Sequence, residues 1–305
     1  MKKIFIILYI ITLMLLSISC KKGSEDNGKI LVVCTTGMIG DAVQNIAGNT
    51  VKIVTLMGSG VDPHLYKAKA SDLDLLSNAK VIFYNGLHLE AKLAEILEKF
   101  GKKGKKTIAV AEVIEKSKLI KTEENLYDPH VWMAPVLWIE AIKKIKETLI
   151  EINPTAKEIY AENYTTYSNT LKKLHKKTLE DIKSIPEKQR VLISAHDAFN
   201  YFGKIYGIKV KAIQGISTAS EASAGQIVKL AEYIAENKIP AIFLETSVPE
   251  RTINALKNAI ENRGFKVKIG GELYSDAMGT KGTETGTYIG MIKHNVKTIV
   301  NGLKK

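Results

Sequence analysis

Short, nearly continuous apolar runs alternate along the chain with stretches whose apolar positions recur every three or four residues. The continuous runs, rich in Val, Ile and Phe, fall at 29–36, 51–57, 80–85 and 107–111, then at 190–195, 208–213, 241–245 and 267–271. Runs of that length and make-up predict strands buried on both faces of a parallel sheet. The periodic stretches predict helices over 38–48, 69–79, 89–100, 135–151, 197–206, 223–237, 249–263 and 286–303. Ile227, Val228, Leu230, Ala231 and Ile234 form the apolar stripe of an amphipathic helix. Ser247 and Pro249 mark the start of the next helix and Gly264 its end. Strand and helix in alternation imply parallel sheets with right-handed crossovers.

A stretch of another kind separates the two sets of four strands. From Pro154 to Lys183 there is no Gly and no further Pro, and Lys, Glu and Tyr dominate. At about 1.5 Å per residue, roughly 30 residues make a helix of about 45 Å, longer than a lobe is wide. The expected fold is therefore α/β, with two lobes each holding a four-stranded parallel sheet flanked by helices, joined by one long rigid helix. The alternative is a single domain with a long helix on its surface. The boundaries that follow are an N-terminal lobe at 29–153, a linking helix at 154–186 and a C-terminal lobe at 187–305. No internal sequence repeat accompanies them; the halves are alike in pattern only.

The start of the chain fits neither lobe. Lys2 and Lys3 precede an apolar run from Ile4 to Leu16. That run is short for a hydrocarbon core of ~30 Å, which takes about 20 residues, but it suits the apolar centre of a signal peptide. Cys20 follows Ser17, Ile18 and Ser19, an arrangement similar to a lipobox, although Leu16 stands four places before the Cys where most lipoboxes have Leu three places before. The expectation is a lipoprotein signal peptide at 1–19, a lipid on Cys20, a polar tether at 20–28, and a location outside the cytoplasm, anchored to a membrane. A plain secretory signal with an incidental Cys is the alternative. With Cys20 acylated, Cys34 is the one thiol left, so no intramolecular disulfide forms and Cys34, in an apolar run, is expected to be buried and inert.

The formal charge of +12 would suit nucleic acid or an anionic membrane surface. The lysines, however, are spread along the helical stretches, with short clusters at Lys102-Lys103 and Lys105-Lys106, and no aromatic-plus-basic pattern or finger motif goes with them. The charge reads as a solvated surface near anionic lipid, with no nucleic-acid partner.

In open α/β sheets ligands bind beyond the carboxyl ends of the strands, which makes the placement of the six histidines informative. His64 follows the second strand, His196 the fifth and Asp276 the eighth, while His130 lies in a loop ahead of the helix near 135. Two come from each half, so a cleft between lobes brings them together. Three imidazoles and a carboxylate suit Zn²⁺ in a tetrahedral site and also accept Mn²⁺ or Fe²⁺. Asp62-Pro63-His64 and Asp128-Pro129-His130 each set the His after a stiff, extended pair, which lowers the entropy lost on binding. Spacing alone does not single these four out, because His88 and Glu245 also follow strands. His175, in the linking helix, and His294, in the last helix, read as packing or solvated side chains, and Asp197 as a helix N-cap.

Several segments in order resemble one known family: GVDPH at 60–64, NGLHLE at 85–90, DPHVWM at 128–133, SAHDAFNYFGKIYG at 194–207, QGISTASEAS at 214–223, GGELYSDAMG at 270–279 and GTYIGMIKHN at 286–295. The chain is similar to the cluster A-I metal-binding lipoproteins of bacterial zinc/manganese ABC importers, within them the TroA type of solute-binding protein. The resemblance implies two parallel α/β lobes bridged by a long helix. It also implies one Zn²⁺ or Mn²⁺, carried as cargo and not as a catalytic group, on His64, His130, His196 and Asp276. It assigns no such role to His88 or Glu245. Manganese-specific relatives usually carry Glu where His196 stands, which points to the zinc or dual type. The segment 117–125, where many zinc-dedicated relatives have a His-rich loop, has no His, which argues against strict zinc specificity.

The implied protein is no enzyme: it is a monomer that captures a metal ion and hands it to a cognate permease in the cytoplasmic membrane. With ordinary imidazoles near ~6.5, protons are expected to compete with metal below about pH 6. A rigid linking helix predicts release by a small lobe or loop shift. The rival readings are a zinc-dependent hydrolase, with Asp197 or Glu245 as base, and a surface adhesin.

Overall fold

The computed structural model describes residues 28–122 and 125–304. The expected signal peptide, Cys20 and most of the tether lie outside the described residues. The first lobe runs β1 (Ile30–Cys34), α1 (Gly37–Ala47), β2 (Val51–Thr55), α2 (Ala70–Asn78), β3 (Val81–Tyr84), α3 (Ala94–Lys102) and β4 (Lys106–Ala109). Its strands form one parallel sheet in the order β2-β1-β3-β4. Val32, Val33 and Cys34 of the central β1 are fully buried, as a strand covered on both faces requires. Burial also pushes the Cys34 thiol far up, so it packs as a small hydrophobe.

A 3-10 turn at Val131–Met133 leads into α4 (Pro135–Ile152), and a second at Pro154–Ala156 into the long α5 (Lys157–Lys183). Pro at the first helical position fits both starts, since the missing N–H would have had no partner there. The second lobe follows as β5 (Val191–Ser194), α6 (Asn200–Tyr206), β6 (Lys209–Ala212), α7 (Ala224–Glu236), β7 (Ala241–Glu245), α8 (Glu250–Glu261), β8 (Lys268–Leu273) and α9 (Tyr288–Leu303). Its four parallel strands form two hydrogen-bonded pairs, β5-β6 and β7-β8. β5 lies beside β7, so the order β6-β5-β7-β8 repeats that of the first lobe. Where β5 ends beside β7, the backbone N–H groups of Ala195 and His196 bond to the Glu245 side chain.

Two helices start later than the apolar periodicity suggests. The helix expected at 89–100 begins at Ala94, because Gly86, Leu87 and His88 take left-handed backbone (φ 80°, 52° and 66°). The helix expected at 197–206 begins at Asn200, with Phe199 and not Asp197 at its N-cap. The Asp197 N–H is held by the Gly215 carbonyl at 3.3 Å, which ties this turn to the next loop.

The long helix is not a bare strut. Tyr160, Tyr167, Leu171, Leu174 and Ile182 of α5 are buried in one apolar core that also holds Val32 and Met38 of the first lobe, Trp138 of α4, and Phe199, Phe243 and Tyr288 of the second. Both lobes are welded to α5 and to each other, which leaves little freedom for wide hinge motion. Among the described residues no helix is long and apolar enough to cross a membrane.

Candidate metal centre

The two Asp-Pro-His segments fold into the same turn. The Asp62 Oδ1 accepts the His64 N–H at 2.8 Å, and the Asp128 Oδ1 accepts the His130 N–H at 2.9 Å. An Asp carboxylate that closes a turn on the residue two places on, with Pro fixing φ between them, sets each His on a pre-formed backbone. Asp128 also receives the His130 Nδ1–H at 2.7 Å and the Asn200 amide at 3.1 Å, while its carbonyl accepts the Tyr201 hydroxyl at 2.8 Å. The NGLHLE segment supports this loop from below. The Glu90 carboxylate takes the Thr35 hydroxyl and the Asn85 and Gly86 N–H groups, filling the crevice between β1 and β3. The Asn85 amide then donates to the Pro129 carbonyl at 3.0 Å.

His196 stands two residues beyond β5. The Glu245 Oε1 accepts the N–H of Ala195 at 2.6 Å and of His196 at 2.9 Å, and its Oε2 accepts the His196 Nδ1–H at 2.5 Å. Asp276 lies just beyond β8. The Trp132 indole N–H, two residues from His130, donates to the Ser275 carbonyl at 2.8 Å. Each of His130 and His196 thus has its Nδ1 turned to a buried carboxylate and its Nε2 pointing inward, the arrangement that sets the tautomer of a metal-ligating imidazole.

One ligand atom from each of His64, His130, His196 and Asp276 lies within 4.8 Å of the others, and all four residues are buried. The Asp276 carboxylate is 3.6 Å from His64 Nε2, 3.3 Å from His130 Nε2 and 3.1 Å from His196 Nε2. None of the three Nε2 atoms nor either Asp276 oxygen has an aligned hydrogen-bond partner. Inward polar atoms left so in a buried cleft are costly unless a cation is bound among them.

The electrostatics divide the histidines. Burial lowers His64 to about 4 despite Asp276 nearby. Burial acts the same way on His130, but Asp128 and Asp276 outweigh it and push it up to about 9. His196 is raised well above its ordinary value, with burial opposed by Asp276 and Glu245. Burial would raise Asp276, yet the His196 and His130 imidazoles hold it well below the usual carboxylate range. Without a cation the buried carboxylates therefore favour protons on His130 and His196, and exchanging two protons for one divalent ion would leave the charge of the cluster unchanged.

The other candidates lie elsewhere or act differently. His88 is exposed on the left-handed turn, His175 bonds to the Tyr206 hydroxyl, and His294 to the Glu272 carbonyl. Glu245 is buried at the site but spends its oxygens on three N–H donors, so it holds His196. The spacing of the motifs did not reveal the holding role of Asp128 and Glu245. The signal for Asp128 was its repeat of Asp62, two places before a His; Glu245 had none, since its partner is 49 residues away.

The family model described as the periplasmic zinc-uptake complex component A, ZnuA, matches residues 32–302. The chain is 48% identical over 286 residues to the zinc-binding protein TroA of Treponema pallidum (strain Nichols), covering 93% of this chain and 92% of that one. It is 46% identical over 283 residues to the manganese-binding lipoprotein MntA of Bacillus subtilis (strain 168), covering 92% of each. The solved structure of the periplasmic zinc-binding protein TroA from Treponema pallidum superposes with a TM-score of 0.90, covering 91% of this chain and all of that one.

Proposed function

The chain belongs to the ZnuA family of metal-binding components of ABC importers, and from that premise we propose that it binds one zinc or manganese ion on His64, His130, His196 and Asp276. The observation that carries this reading is the buried knot of five unpartnered inward atoms, drawn from both lobes. The mature chain is lipid-anchored through Cys20 outside the cytoplasm, acts as a monomer and passes the ion to a permease in the cytoplasmic membrane. It catalyses no reaction: four protein donors fill a tetrahedral site, whereas a catalytic zinc keeps a position open for water and needs a free base. Glu245 is already committed to His196. Competitive titration of the metal-free protein with zinc and with manganese tests the assignment. It should give one ion per chain, and the absorption of a cobalt-loaded sample should show no bound water. More than one site of equal strength, or a water ligand, would overturn it.

The proton-loaded state makes binding steeply pH-dependent over a range that ordinary imidazoles would leave flat. Protons on His130 (about 9) and His196 must leave before the ion enters, so affinity rises with pH through 6 to 8. The slope approaches two decades per pH unit while about two protons leave per ion. His64, at about 4, adds a third only in acid. Calorimetry in buffers of different ionisation enthalpy counts the protons; affinity that levels off above pH 6.5 would contradict the stored protons.

Glu245→Gln keeps the shape of the cleft but cannot orient His196 through a charged acceptor. It should weaken metal binding by roughly 10- to 100-fold with no change in stoichiometry. Parental affinity in this variant would show that His196 needs no such support.

A further inference from the structure

The three histidines are not held alike. His130 and His196 are fully buried, each with a carboxylate on both its backbone N–H and its ring Nδ1–H, and His130 is followed by buried Val131, Trp132 and Met133. His64 is the least buried of the three, at 4% exposure, and its carboxylate neighbour treats it differently. Asp62 takes the His64 backbone N–H on Oδ1, then turns Oδ2 across the cleft to accept the Thr218 hydroxyl at 2.6 Å. Thr218 lies in the second lobe, in a loop whose neighbours Ser217, Ala219 and Ser220 are exposed. The His64 segment is likewise flanked by solvent, with Gly58, Ser59 and Gly60 exposed before it and Leu65 48% exposed after it. One side-chain hydrogen bond at the solvent edge thus ties the backbone of this His to the opposite lobe.

We infer that the Asp62–Thr218 hydrogen bond is a clasp that keeps His64 on the metal, so that its opening is the first step of release. The inference rests on the metal-binding reading above. Because the lobes share one core, they cannot part widely, and a route out must open locally. The His64 segment offers it: losing the clasp frees a short exposed loop, while His130 and His196 stay fixed by buried bonds. Thr218 touches none of the four proposed ligands in any hydrogen bond; it acts through Asp62 as a positioning residue.

The test is stopped-flow transfer of zinc from the loaded full-length mature protein to a fluorescent chelator. Thr218→Val removes the hydroxyl and keeps the volume. It should release zinc roughly tenfold faster, the loss expected for a hydrogen bond to a charged acceptor, with the change mostly in the off-rate. Thr218→Ser should restore the parental rate, and the metal-free melting temperature should be the same in all three. In a His64→Ala background Thr218→Val should give no further acceleration, because the clasp acts through that side chain. A parent that binds zinc while Thr218→Val releases it at the parental rate overturns the clasp alone, as does equal acceleration in the His64→Ala background. A parent that takes up neither zinc nor manganese overturns the metal-binding reading, and the clasp with it.

Discussion

Asp276→Asn should weaken zinc or manganese binding by about two to three and a half decades, the 3–5 kcal/mol typical of uncompensating a buried charge. Asn keeps the volume and one carbonyl donor, so the variant isolates the negative charge. That charge is the one carboxylate facing all three Nε2 atoms, at 3.1–3.6 Å. In the metal-free protein the same carboxylate supports the protons on His130 and His196, so fewer protons should leave per ion bound. Chelator competition measures the affinity and calorimetry the protons. An Asn variant that binds within tenfold of the parent would remove Asp276 from the ligand set and leave three imidazoles without a counter-charge.

Trp138→Ala should lower the unfolding free energy of the metal-free protein by about 3–5 kcal/mol, the range for deleting a large buried aromatic. Trp138 is fully buried on α4 and stacks on Tyr288 of α9, with ring centroids 5.8 Å apart and planes 25° from parallel. The Tyr288 hydroxyl in turn donates to the Trp132 carbonyl at 2.6 Å, beside His130. The pair therefore joins the first lobe, the second lobe and the floor of the metal cleft. Because one apolar core runs through both lobes and α5, unfolding should remain a single transition in parent and variant. Denaturant unfolding followed by far-UV dichroism and by tryptophan emission checks both points. Two separate transitions, or a loss below 1 kcal/mol, would mean that the lobes are stabilised independently.

The Thr218 clasp and the Trp138–Tyr288 stack have complementary roles. The stack fixes the lobes so that the ligands stay preorganised, and the clasp, by opening, lets one ligand depart. A carrier needs both, since a site too rigid to open binds tightly and delivers slowly.

The eight strands and most helices were legible in the chain because their cause is local. A run such as 241–245 has no polar position to leave exposed, so a doubly covered strand satisfies it, and β7 occupies those residues. Some helix ends are set by side-chain chemistry within one turn, as at Ser223 and Gln226, which cap each other ahead of α7, and at Thr287 ahead of α9. The exceptions lie where distant groups took over. Leu87 and His88 carry helical neighbours in sequence but left-handed φ, held by the fold of Glu90 onto β1 and β3. Asp197 has the side chain of a cap, but its turn is tied to Gly215 and the helix starts at Asn200.

The sequence by itself determined the alternation of strand and helix, the long linking helix, the pre-set Asp-Pro-His turns and the four side chains that the family resemblance marks as ligands. Each follows from periodicity, from backbone restrictions within a few residues or from matched motifs. Only the tertiary structure decided that Asp128 and Glu245 hold two of the imidazoles, that buried carboxylates favour the protonated form of both, and that His64 is tied by Thr218 of the other lobe. The Glu245 and Thr218 contacts join atoms 49 and 156 residues apart, and the Asp128 bond, though it spans only two residues, takes its strength from burial. No local pattern encodes a desolvation energy or a contact across that span; both come into being when the two lobes close on a shared core.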